Sequence, residues 1–185
     1  MFLLAILLFA LATTPLFGGS LSALGDLRFR HVWLVIAAIG LQVLIISVIP
    51  DKLTWSHVPI HLMSYVAAIA FIALNRRISG VVVIGAGGLM NLTAIALNGG
   101  VMPAREAALR SAGIVHDAGQ FANSTTVADA RVAFLGDIFS IPEGVPILNN
   151  VFSLGDILIG IGVLMLVYGV CLKERRRRRI PSPAA

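Results

Sequence analysis

The sequence is poor in charge: of 185 residues only 12% are Asp, Glu, Lys or Arg, whereas 58% are hydrophobic. A soluble domain carries about a quarter charged residues and about half apolar ones. The deficit excludes an ordinary soluble globule and points to one helical integral membrane domain. Cysteine is nearly absent too, and the single Cys171 excludes an internal disulfide. The short alternating segments of a membrane barrel are missing. No Lys or Arg precedes the first apolar run, and no small-x-small cleavage site near its end convinces. Residues 1–17 are therefore expected to stay on the chain as a helix, not to be removed as a signal peptide.

What charge there is lies in clusters. The net charge of +5 owes much to Arg175–Arg179, which follow directly on an apolar run with Lys173 just before them. A basic cluster at the end of an apolar helix anchors it at a membrane surface and attracts anionic lipid headgroups. The placement argues for membrane lipids as partners and against nucleic acid.

Apolar runs of roughly 17–25 residues suit a spanning helix. The runs 1–17, 32–49, 60–74, 79–97 and 152–172 predict an all-α bundle of five transmembrane helices. Arg28 and Arg30, then Arg76 and Arg77, then Lys173–Arg179 occupy alternate connections. The bias of basic residues toward the cytoplasm then sets the N-terminus outside and the C-terminus inside, with a basic tail at 173–185. The whole chain is expected to form one multi-pass domain of the bacterial cytoplasmic membrane. The 98–150 segment is expected on the extracytoplasmic side, with an amphipathic helix over Pro103–Ser111 and a polar loop after it.

Chemistry concentrates in residues 131–162, where Gly136-Asp137 and Gly155-Asp156 each precede apolar residues. Carboxylates beside hydrocarbon are costly and call for a reason. Two aspartates meeting in a low-dielectric cleft share a proton, so that one activates water while the other polarises a carbonyl. Such aspartyl hydrolysis needs neither metal nor other cofactor. The other reading is structural. Ser153-x-x-Asp156 is a capping-box pattern, and Asp137 after Gly136 suits a turn.

Leu135-Gly136-Asp137-Ile138-Phe139 and Asn150-Val151-Phe152-Ser153-Leu154-Gly155-Asp156 resemble the two aspartate motifs of lipoprotein signal peptidase. Gly87-Gly88-Leu89-Met90-Asn91-Leu92 is similar to that family's glycine-asparagine motif, with Met90 in place of a glycine. The resemblance implies Asp137 and Asp156 as a catalytic dyad, with Asn91, Asn150 and Ser153 in support. It also implies a membrane-anchored protein or lipoprotein as substrate. Ala94-Ile95 stand where that family has Asp-Arg, and the region that would grip the substrate shrinks to residues 50–59. The chain as a whole is more similar to an uncharacterised family of small bacterial membrane proteins. Leu-Ser-Ala-Leu-Gly-Asp-Leu-Arg, Asn-Gly-Gly-x-Met-Pro and Phe-Leu-Gly-Asp-Ile-Phe mark it, and no activity follows from that likeness.

Other residues read more plainly. His57 and His61 could share a helix face, but two ligands do not make a metal site and none is expected. Gln42 suits a bond between helices, Asn123-Ser124-Thr125 fits a glycosylation pattern, and the glycines at 80, 85, 87 and 88 permit close helix packing. The function expected is an intramembrane aspartyl hydrolase with Asp137 and Asp156 at its centre. The alternative is a membrane scaffold or accessory subunit whose aspartates cap and pack helices.

Overall fold

The computed structural model describes residues 2–48, 57–98, 101–114, 124–127, 129–144 and 149–179. Seven helices follow one another among them: α1 (Phe2–Thr13), α2 (Ser22–Gly25), α3 (Trp33–Val48), α4 (His57–Asn75), α5 (Val81–Leu97), α6 (Glu106–Ser111) and α7 (Leu154–Arg179). Two small sheets accompany them. In one, β1 (Met102–Pro103) pairs in parallel with β2 (Ser124–Thr125); in the other, β3 (Asp137–Ile141) pairs antiparallel with β4 (Asn150–Ser153). Trp55, His116 and Asn123 lie outside the described residues, as do the side chains of Gln42, His57 and His61.

The expectation of five membrane spans is not met. Among the described residues one helix, over Leu154–Lys173, is long and apolar enough to cross a membrane. The apolar helices Phe2–Thr13, Met63–Asn75 and Val81–Leu97 are shorter. At about 1.5 Å per residue, the 12 residues of α1 reach only about 18 Å, against a hydrocarbon thickness of about 30 Å. Helix α1 stops at Thr13, and the left-handed residues Gly18, with φ 70°, and Gly80, with φ 83°, lie in the connections between helices. The fold is not all-α either. The segment expected to join two spans carries both sheets and α6, and α6 starts at Glu106 because Met102–Pro103 are drawn into strand pairing.

Helix α7 is the axis of the molecule. On one side α1 runs alongside it: the Phe2 ring stacks on Phe152 at 4.3 Å, and the Thr13 hydroxyl meets the Tyr168 hydroxyl at 2.6 Å. Ala10, Val167 and Cys171 are buried in that seam. On the other side α5 crosses α7 antiparallel, through glycines spaced seven residues apart on both helices. A Cβ on Gly80 would strike the Gly162 carbonyl, and one on Gly87 would strike the Gly155 carbonyl. Such contacts bring two backbones to a separation no larger residue allows.

The remaining elements hang on this pair. Asn75, at the end of α4, accepts from the Arg30 amide at 2.7 Å and donates to the Arg30 carbonyl at 2.9 Å, tying the approach to α3 against α4. At the opposite end of the molecule α6 packs its buried Ala108, Leu109 and Ala112 against Val151 of β4. Full burial of Leu109 or Val151 stabilises the fold by about 1.5–3 kcal/mol, and of each alanine methyl by about 0.8 kcal/mol.

Candidate functional site

Antiparallel pairing places Asp137, the first residue of β3, opposite Ser153, the last residue of β4. A β-bulge follows immediately, between Asp137 and Phe139. Directly paired residues of an antiparallel ladder put their side chains on one face, with Cβ atoms about 5 Å apart. The Asp137 backbone is held from the other side by the Arg105 amide, which donates to its carbonyl at 3.0 Å. Gly136 lies so close to the Pro103 carbonyl that a Cβ would collide with it. The Met-Pro and Gly-Asp motifs, 33 residues apart in sequence (136 − 103 = 33), thus form one contact and leave Asp137 only 5% exposed.

Ser153 also begins α7. Its hydroxyl accepts from the Asp156 amide at 3.0 Å, and its own amide donates to Asp156 Oδ2 at 3.1 Å. That reciprocal pair is a capping box, satisfying a donor at a helix start that has no partner within the helix. An acidic side chain in the first turn is further favoured by the helix dipole.

Asn91 completes the cluster from α5. Its Nδ2 donates to Asp156 Oδ1 at 2.8 Å, while its Oδ1 accepts from the Ser153 hydroxyl at 2.7 Å. One amide thereby grips both members of the cap, and both Asp156 oxygens are engaged by protein donors. Gly155 is what lets Asn91 in, since a Cβ there would overlap Asn91 Oδ1.

Of the five residues expected at the site, Asn91, Ser153 and Asp156 share hydrogen bonds, and Asp137 stands opposite Ser153 in the strand register. Asn150 does not join them. It pairs with Ile141 at the far end of the hairpin, three residues down β4, or about 10 Å at the usual strand rise. Its neighbour Asn149 instead donates to the Ala112 carbonyl at 3.2 Å, fastening the end of α6. Among the described residues, no group of three or more His, Cys, Asp or Glu side chains could hold a metal ion.

A second feature was not anticipated as a site. At the other end of α7 lies a cleft of about 370 Å³ bordered by Arg28, Arg77 and Lys173. In the sequence Arg28 and Arg77 served only to orient the chain, while Lys173 also belonged to the basic cluster expected to attract anionic headgroups. The signal that could have found the cleft was their recurrence at successive ends of apolar runs.

The family model matching residues 26–168 covers both the polar cluster and most of the cleft. The chain belongs to DUF5317, a family of unknown function. The DUF5317 match begins at Asp26, within the Leu-Gly-Asp-Leu-Arg stretch, and ends at Tyr168 in α7. No curated protein and no solved structure matches the chain.

Proposed function

We propose that this DUF5317 chain is a membrane-anchored scaffold or accessory protein, in which the aspartates fasten a β-hairpin to the α5–α7 pair. The observation that carries the reading is the engagement of Asp156: Oδ1 accepts from Asn91 and Oδ2 from the Ser153 amide. Both oxygens thereby serve the start of their own helix and its contact with α5. The apolar exterior agrees with an anchored, partner-binding role. Ile36 of α3 is 64% exposed and Met63 of α4 is 62% exposed, and only 28% of the Leu154–Lys173 window is buried. The core helix of a soluble protein would be mostly covered, and large uncovered apolar surface marks contact with lipid or another protein.

A second reading keeps the aspartyl hydrolase implied by the likeness to lipoprotein signal peptidase, acting on a membrane-anchored protein or lipoprotein. The pairing of Asp137 with Ser153 favours it, because that pairing brings both aspartates to one residue.

Asp156→Gln separates the two, since Ser-x-x-Gln also forms a capping box. The full chain, reconstituted in lipid nanodiscs, is incubated with lipid-anchored peptides and assayed for cleavage. The scaffold reading expects no cleavage that depends on either aspartate. It also expects Asp156→Gln to restore any phenotype of cells lacking the chain. Cleavage abolished by both Asp156→Gln and Asp137→Asn would establish the hydrolase instead.

A further inference from the structure

The cleft at the basic end of α7 gathers charge from three separate parts of the chain. Arg28 comes from the segment after α2, Arg77 from the α4–α5 turn and Lys173 from the last part of α7. All three side chains are exposed. Among the described residues the one ion pair joins Arg110 to Glu106, so none of the three cations is neutralised by a described carboxylate. Asp26 also borders the cleft, so its described lining holds three cationic groups against one acidic group. Three exposed like charges around one opening raise the local positive potential and attract anions.

The rest of the lining narrows the chemistry of that anion. The Ser79 hydroxyl adds a neutral donor beside the guanidinium groups, and Ile78 gives the cleft an apolar wall. Guanidinium and ammonium groups around a hydroxyl suit the oxygens of a phosphate, which guanidinium binds in bidentate fashion. The cleft, about 370 Å³ and largely open, has room for a headgroup but not for a whole lipid. It borders the end of the one helix among the described residues long and apolar enough to cross a membrane, with Arg175–Arg179 following after Glu174. Basic pockets in that position suit anionic headgroups.

We propose that Arg28, Arg77, Lys173 and Ser79 form a binding site for a phosphate group, carried by the headgroup of an anionic phospholipid. The inference rests on the reading of α7 as a membrane anchor, and it is distinct from diffuse attraction by the arginine run. It assigns selectivity to the cleft.

The test uses the full chain in neutral detergent, titrated with phosphatidylglycerol, phosphatidylcholine or inorganic phosphate. The readout is the thermal unfolding midpoint, which a ligand of the folded state raises. Phosphatidylglycerol is expected to raise it and phosphatidylcholine to leave it unmoved. Arg28→Gln, Arg77→Gln and Lys173→Gln combined are expected to weaken binding at least about tenfold, since each charge-assisted bond carries about that factor. Replacing Arg175–Arg179 by Gln is expected to cost less than the three cleft substitutions. Arg28→Lys with Arg77→Lys should retain part of the binding. Because all three side chains are exposed and without ion pairs, the single Gln variants serve if the triple variant is unstable. Cleft-dependent binding of the lipid but not of inorganic phosphate supports the headgroup. Cleft-dependent binding of both supports the phosphate site but overturns the lipid as its source. Equal binding by wild type and cleft variants, or equal response to the two lipids, overturns the site. None of these outcomes depends on the aspartates, so the cleavage assay and this one fail independently.

Discussion

Three asparagines, Asn75, Asn91 and Asn98, each use a terminal amide to hold a distant piece of chain. Asn98 accepts from the Arg131 amide at 2.9 Å and donates to the Arg131 carbonyl at 2.8 Å, much as Asn75 does with Arg30. Asn91 does the same for side chains. Its replacement by Ala leaves Asp156 Oδ1 and the Ser153 hydroxyl without their partner, at a cost of about 2–4 kcal/mol. Chemical denaturation of the purified chain in detergent should show that loss, while Asn98→Ala, more exposed, should cost about 1 kcal/mol. The sequence made these residues visible to unequal degrees. Asn91 stood out through the glycine-asparagine motif. Asn75 and Asn98 were readable only as ends of apolar runs, because an amide bridging 45 or 33 residues leaves no local pattern.

At the scale of elements, glycine spacing decides how α5 meets α7. Gly80 and Gly87 face Gly162 and Gly155, whereas Gly85 faces Ile72 of α4 and Gly88 meets nothing within 4 Å. Gly80 before α5 and the three glycines within it were legible as a close-packing surface, but which of them touch α7 depends on the crossing. Gly87→Ala is expected to push the helices apart at the level of the polar cluster and cost about 1–3 kcal/mol, whereas Gly88→Ala should be neutral or slightly stabilising. Thermal unfolding of the two variants side by side checks the difference. The β3–β4 hairpin was less legible. Its strands have five and four residues, too short for alternation to stand out from an apolar stretch, and the bulge after Asp137 breaks the period. The Ser-x-x-Asp capping pattern was plain in the sequence, and the structure makes it the start of α7. The partnership of that cap with Asn91 was not, since hydrogen bonds across 62 and 65 residues carry no spacing rule.

For the whole molecule, composition revealed the apolar character and overestimated the number of spans. Hydropathy counts apolar residues, but a crossing requires an unbroken helix of sufficient length, and among the described residues Phe2–Thr13, Met63–Asn75 and Val81–Leu97 fall short of it. The reading of α7 as an anchor has its own test. Met165, 43% exposed near the middle of the Leu154–Lys173 window, can be replaced by Arg. A charge there costs about 2.5–3.5 kcal/mol of insertion free energy if the helix crosses a bilayer. The variant should shift from the membrane pellet toward the alkaline-extracted supernatant; an unchanged distribution would remove α7 as the anchor. The polar cluster and the basic cleft sit at opposite ends of this helix, so one rod carries the latch that orders the hairpin and the site proposed to bind a headgroup.

The account depends most on the latch being structural, and a double-mutant cycle measures it directly. Unfolding free energies of wild type, Asn91→Ala, Asp156→Ala and the double variant give the coupling between the two side chains. A load shared through Asn91 and the α7 cap predicts a coupling of about 1–3 kcal/mol. Additive losses within about 0.5 kcal/mol would show that the residues act independently, and would contradict the account.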